Sequence, residues 1–396
     1  MSGTEHRRAV GAAELASPLM PYDVAVGRIA ATFSPLAPVE VGLDEALGMV
    51  LAHDVVAADD VPAFDNSAMD GYAVRSADVG DGATVVVGDR VGPGVVAKVM
   101  TGQPVPEGAD AIVPWERTRE EPDGLFVEGP VVPGRFVRPQ GEDVRAGQVV
   151  LGAGTRIDPV AIGMAAAVGR ARLAVHPRPR VGVLSTGDEL VGVDAPIGPG
   201  RVRDANGPLL AATVRAAGAE VSGVLRAPDD PELITAALRE LCAGSDLVVT
   251  SGGASVGEKD WLRVVLERSG ELDFWRIAMR PGKPVALGRV DDTPVVVLPG
   301  NPGSVVACSH VVLARAVRVL SGAPAAPATT TAELAEPLEG DPERTVVHPV
   351  RLVGGSAVSA PVRSSQVLSS AIGLDGWIVV PPGGAAAGAT VEVELP

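Results

Sequence analysis

Three short segments concentrate residues that could handle an anionic substrate. TGDEL (186–190) follows the apolar run VGVLS, SGGASVGEKD (251–260) follows DLVVT, and GNPGS (300–304) follows PVVVLP. Small residues at Ser251, Gly252 and Gly253 let backbone N–H groups approach an anion. Pro302 opens a helical pattern whose N-terminus favours negative charge. Carboxylates gather in and around these segments: Asp188, Glu189, Asp246, Glu258 and Asp260. A hard cation such as Mg²⁺ takes one or two carboxylates plus substrate phosphate oxygens, so Mg²⁺ suits this set better than Zn²⁺. Glu258 reads more simply as a solvated charge, and Asp260 could also cap the helix beginning at Trp261. The matching basic element is MRPGKP (279–284), where Arg280 and Lys283 flank a Pro-Gly turn. Two cations there suit an oxyanion or phosphate. Lys283 is one of only three lysines in the chain, with Lys98 and Lys259, so its retention suggests that a compact ammonium is required.

Other chemistries lack their residues. No G-x-x-x-x-G-K-[ST] phosphate loop and no G-x-S-x-G nucleophile elbow occurs. Two cysteines and five scattered histidines provide neither a disulfide framework nor a His/Cys metal cluster. Cys308 lies in an apolar helical stretch, where a buried structural thiol is expected.

The elements that must position these segments follow from hydrophobic periodicity. Helical spacing covers 22–33 and 43–51. From Asp60 to about Arg156 short β-branched runs bounded by Gly, Pro or Asp predict an all-β region inserted into another domain. Residues 159–169 return to helix. From Pro179 strands and helices alternate: strands at 181–185, 220–225 and DLVVTS, helices at 207–217, 231–242 and 261–270. A hairpin around Asp291–Asp292 and a helix over 303–320 complete the series. Continuous apolar strands in β–α–β order predict a doubly wound parallel sheet, with ligands beyond the carboxyl ends of its strands. APAAPATTT reads as a linker to a small C-terminal β-domain. The fold class is therefore multidomain α/β plus β: 1–16 a flexible tail, 17–60 with 137–176 an N-terminal linking domain, 61–136 the inserted β-rich domain, 177–324 the doubly wound domain and 325–396 the C-terminal β-domain.

A chain of 396 residues with 46% hydrophobic residues can fill several cores, and its net charge of −16 argues against nucleic acid or an anionic membrane as partner. Residues 1–16 lack the apolar stretch of a secretory signal. The uncharged run 294–314 is broken by PGNPG, so a strand–loop–helix is expected rather than a membrane span, and a cytoplasmic location.

FDNSAMDGYAVR (64–75), TGQPVPEGADAIVPWE (101–116), GEDVRAG (141–147), LSTGDEL (184–190), DANGPLL (204–210), TSGGASVGEKD (250–260), MRPGKP (279–284) and LPGNPGSVV (298–306) together resemble the molybdopterin molybdotransferases, the MoeA family, related to the E domain of gephyrin. The resemblance runs from about residue 20 to the end. It implies insertion of molybdate into the dithiolene of adenylated molybdopterin, with Mg²⁺-dependent cleavage of the adenylate and release of AMP. It implies a four-domain homodimer with a molybdopterin-binding-like third domain, and a cleft completed by the partner's β-rich region. The upstream molybdopterin adenylyltransferase becomes a candidate partner. Carried over by position, the cleft acids fall on Asp70, Asp143, Glu189, Asp246 and Asp260, with Thr101 on the TG turn and Glu189 and Asp260 as metal ligands. The molybdate-side cations fall on Arg280 and Lys283, where the family usually has lysine at both. Arg344 and Ser365 match the family's C-terminal arginine and serine. A related pterin adenylyltransferase would share the TGDE and SGG loops but need neither FDNSAMDG, GEDVRAG nor a C-terminal β-domain. A gephyrin-like scaffold would need an apolar docking patch.

Overall fold

The computed structural model describes residues 19–253, 261–360 and 366–396. The chain divides into two compact units, residues 40–175 and the remainder.

The 40–175 unit has two main apolar clusters and a smaller third one of Ala73, Val99 and Ile112. One is built on a small three-stranded sheet and the helix Pro159–Ala167, with Leu51, Ala161, Ala165 and Leu173 at its centre. Asp158 caps that helix by accepting the Ala161 N–H at 2.7 Å, and Pro159 occupies the first helical position. The other cluster fills a six-stranded sheet in which Gly71–Val74 lies between Ala111–Pro114 and Val95–Val99. The helix expected at 43–51 does not form. Gly48 turns the backbone into the left-handed region (φ 78°), and Leu51 donates its N–H to Thr155. The apolar spacing that imitates a helix there places Ala46 and Leu51 in the core through turns and a short strand.

In the other unit, a six-stranded sheet runs in the order Glu220–Ala227, Arg180–Thr186, Leu247–Ser251, Thr293–Leu298, Ala286–Val290, Gly270–Trp275. The first four strands are parallel, Ala286–Val290 runs against them, and Gly270–Trp275 pairs antiparallel with Ala286–Val290, so the sheet is mixed rather than wholly parallel. The cause is local: a two-residue turn at Asp291–Asp292, both at positive φ (47° and 68°), makes a hairpin, and a parallel return needs a far longer crossover. Val181, Val183, Val249 and Val296 face the helices Tyr22–Thr32, Asn206–Ala216 and Pro302–Leu320. Leu184, Val248 and Val297 face Pro231–Cys242 and Trp261–Ser269. Burial on both faces explains why these strands read as unbroken apolar runs. Pro302–Leu320 is long and apolar enough to cross a membrane, but 72% of it is buried inside the protein, as a core helix is. Cys308, on this helix, is wholly buried, and burial pushes its thiol pKa far up.

The C-terminal residues close a five-stranded barrel: Thr345–Val353, Ser356–Ser359, Thr329–Leu334, Thr390–Glu394 and Gly376–Val380, the last pairing back to the first. Part of the expected linker, TTT, is therefore barrel strand. The two-residue strand Met279–Arg280, in the connection between Gly270–Trp275 and Ala286–Val290, pairs in parallel with Thr345–Val346 and joins that connection to the barrel.

Candidate active site

Register brings the loops together. Ser185, Ser251 and Leu298 stand level in adjacent parallel strands, so the TGDE, SGG and PGNPG loops leave the sheet at one height. Gly252 (φ 95°) passes so close to the Thr186 carbonyl oxygen that a Cβ would overlap it. Asn206, at the start of its helix, donates to the Ser251 hydroxyl and the Gly300 carbonyl, each at 2.7 Å, and Ser251 donates to the Pro299 carbonyl at 3.1 Å. One amide thus ties the SGG and PGNPG loops to the start of its own helix. The Glu189 carboxylate folds back over Gly187, where a Cβ would lie 2.7 Å from Oε2. Asp188 Oδ1 accepts the Asp229 N–H at 3.0 Å, and Arg201 donates to the Asp188 carbonyl. Among the described residues, the buried hydroxyls of Ser185, Thr186 and Thr250 and the Asn206 amide oxygen lack a hydrogen-bond partner. Buried polar atoms rarely stay unsatisfied, so this edge is built to receive polar groups.

In the same unit lies a basic cluster. Arg344 donates from Nη2 (2.6 Å) and Nε (3.1 Å) to Asp341 Oδ2, and Arg280 Nη1 stands 3.9 Å from that oxygen. Asp341 Oδ1 accepts the Glu343 N–H at 3.1 Å. The Arg344 hydrogen bond, aided by that N–H and both positive charges, holds the Asp341 carboxyl below the usual carboxylate range. Lys283 is half-buried, and its carbonyl accepts the Ile277 N–H at 3.0 Å, fixing the base of the turn.

Asp70 and Thr101 belong to the 40–175 unit, and they meet. Asp70 Oδ1 accepts the Thr101 backbone N–H at 2.7 Å and its hydroxyl at 2.8 Å. These two bonds depress the Asp70 carboxyl. Asp143 is exposed, and its N–H donates to the Val61 carbonyl at 3.0 Å.

Asp246 is a correction. It precedes its strand instead of following it, and binds Arg180 through the backbone N–H (2.8 Å) and the guanidinium (3.3 Å). A five-residue strand puts it about 16 Å from the loop edge. Its place beside TGDE is taken by Asp229, which follows the strand Glu220–Ala227. Asp229, Arg201, Asn206 and Asp341 were not singled out by the sequence. Glu258, Asp260 and Ser365 lie outside the described residues. Pro302 opens its helix as expected. No three His, Cys, Asp or Glu side chains among the described residues form a metal-holding group. Among the described residues the loop edge offers oxygen ligands, the donor type that Mg²⁺ takes.

A mixed α/β sheet with a polar loop edge, an attached barrel and an arginine pair defines a multidomain α/β protein. The family comparisons resolve the class. Residues 20–169 match the MoeA N-terminal region (domains I and II), 182–319 the probable molybdopterin binding domain and 331–395 the MoeA C-terminal region (domain IV). A relative from Mycobacterium tuberculosis, molybdopterin molybdenumtransferase 2, is 41% identical over 309 residues, covering 72% of this chain and 76% of its own. Molybdopterin molybdenumtransferase of Synechococcus elongatus is 34% identical over 401 residues, covering 95% and 99%. The solved structure of a molybdopterin biosynthesis MoeA protein from Pyrococcus horikoshii superposes with a TM-score of 0.76 at 27% identity, over 96% of this chain and 100% of that one. The chain belongs to the MoeA family of molybdopterin molybdenumtransferases, enzymes of molybdenum cofactor biosynthesis.

Proposed function

We propose that this chain transfers molybdate to the dithiolene of adenylated molybdopterin, with cleavage of the adenylate and release of AMP. The observation that carries the reading is an anion-receiving loop edge and a two-arginine cluster in one unit. In this reading the SGG backbone (Ser251, Gly252, Gly253) and the helix start at Pro302 receive phosphate oxygens, and Arg280, Lys283, Arg344 and Ser365 receive molybdate. Asp70, Thr101, Asp143, Glu189, Asp229 and Asp260 line the cleft. Glu189 and Asp260 would hold Mg²⁺, which would supply charge neutralisation at the phosphates. The thiolates belong to the substrate, which agrees with two buried, unreactive cysteines. The protein's own work is positioning and charge stabilisation.

The reading includes a cytoplasmic homodimer of four domains per chain: 17–60 with 137–176, 61–136, 177–324 and 325–396. The decisive assay incubates the purified protein with adenylated molybdopterin, molybdate and Mg²⁺ and follows AMP and cofactor formation. AMP release that needs both molybdate and Mg²⁺ is expected. An inert protein, or release indifferent to both, overturns the reading.

A further inference from the structure

Among the described residues, Asp341 is the only carboxylate shared by Arg280 and Arg344, and it is 6% exposed. Its position follows from the backbone. Parallel pairing of Met279 with Thr345 and of Arg280 with Val346 sets the sheet-domain turn beside the first barrel strand. The Thr345 N–H donates to the Ala278 carbonyl at 2.9 Å and secures the same junction. Asp341 sits three residues before Arg344, in a turn closed by the Glu343 N–H. Two guanidinium groups so placed repel one another, and a carboxylate between them removes that cost.

The two arginines engage it differently. Arg344 spends Nε and Nη2 on Oδ2, whereas Arg280 approaches only to 3.9 Å and its side chain stays 63% exposed. Arg280 is therefore oriented but keeps its donors for a ligand. A planar fork can face Asp341 on one side and an oxyanion on the other, which a compact ammonium cannot do as well.

We propose that Asp341 is a positioning residue for oxyanion use: it holds Arg280 and Arg344 as one preorganised pair. The proposal rests on the molybdate-transfer reading above. Its test is the molybdate concentration dependence of cofactor formation by the full-length protein. Asp341→Asn should raise the half-saturating molybdate concentration about tenfold, the loss expected for a charge-assisted contact. The rate at saturating molybdate and the affinity for adenylated molybdopterin should stay near wild type, and Asp341→Glu should recover part of the loss. If Asp341→Asn does not fold, Asp341→Glu alone carries the test, with a smaller rise in the same quantity. A folded variant with lower thermal stability but unchanged half-saturation overturns the inference, because that is what a purely structural carboxylate would give. A wild-type protein with no molybdate-dependent turnover overturns the functional reading itself, which is a separate result.

Discussion

An ammonium and a guanidinium are different tools at an oxyanion, and this chain carries one of each in MRPGKP. Lys283 is a compact point charge on a turn whose base is pinned by the Ile277–Lys283 hydrogen bond. A second fork beside Arg280 would crowd a tetrahedral ligand. Lys283→Arg should therefore impair molybdate use while leaving adenylated-pterin binding intact, and Lys283→Ala should do worse. A molybdate titration of Lys283→Arg that overlays the wild type would sink this. Asp70 yields a pH prediction. Thr101 donates twice to one Asp70 oxygen, so the charged form is favoured in the folded protein and titrates below 3.8. The folded-state pKa is depressed, so what this clamp contributes is complete above the usual carboxylate value and is lost as pH falls through the lower, folded-state value. Thr101→Val removes only the hydroxyl bond and keeps the larger backbone contribution, so the Asp70 midpoint should rise part of the way to 3.8. Carboxyl carbon NMR reads that midpoint directly, and an unmoved value in the variant would refute the account.

Between elements, one part-buried acid fastens the barrel to the last helix of the sheet domain. Glu394 accepts from His310 Nε2 at 2.7 Å and from Arg315 Nη2 at 2.6 Å, and Trp377 stacks on His310 at 5.7 Å. Burial pushes the Glu394 carboxyl up, but the His310 bond and the Arg315 charge outweigh it and leave the carboxyl below its usual range. Burial, with the Glu394 charge adding, raises the Tyr22 phenol alongside to about 12. Glu394→Ala strands a buried guanidinium and should cost roughly 3–5 kcal/mol, whereas Glu394→Gln keeps the shape and should cost less. Urea unfolding decides: two variants with the wild-type midpoint would mean that the network holds nothing. This joint was not legible in the sequence, because nothing in VEVEL marks its last Glu as the partner of a helix some eighty residues earlier. The buried strands were legible, since two covered faces force continuous apolar runs. Strand direction was less so: periodicity does not encode it, and the two-residue Asp291–Asp292 turn was the usable signal. TTTAEL hid as linker because its inward residues alternate with polar ones. Asp246 and Asp229 were exchanged for a similar reason. Each lies beside a strand, and only the end of the strand it touches tells loop edge from opposite edge.

At the scale of the molecule, the proposed cleft acids are divided between two compact units. Asp70 and Thr101 belong to 40–175, whereas Glu189 and the Arg280–Asp341–Arg344 cluster belong to the other. A chain with 33 basic and 49 acidic residues has no general attraction for a polyanion, so charge must be concentrated where the substrate sits. In the proposed homodimer each cleft takes its Asp70 from one chain and its Glu189 from the partner. Two-fold symmetry then makes a genetic test possible, because each chain contributes once to each cleft. Asp70→Ala and Glu189→Gln homodimers should each be inactive or nearly so. In a mixed dimer one cleft receives both lesions and the other receives neither. Random mixing makes about half the dimers mixed, so about a quarter of wild-type activity should return. If both residues served the same cleft from the same chain, every cleft would carry one lesion and mixing would restore nothing. The measurement is AMP release after the two variants are unfolded and refolded together, with mixed dimers verified by two affinity tags. Verified mixed dimers without activity would show that the cleft is not shared between chains.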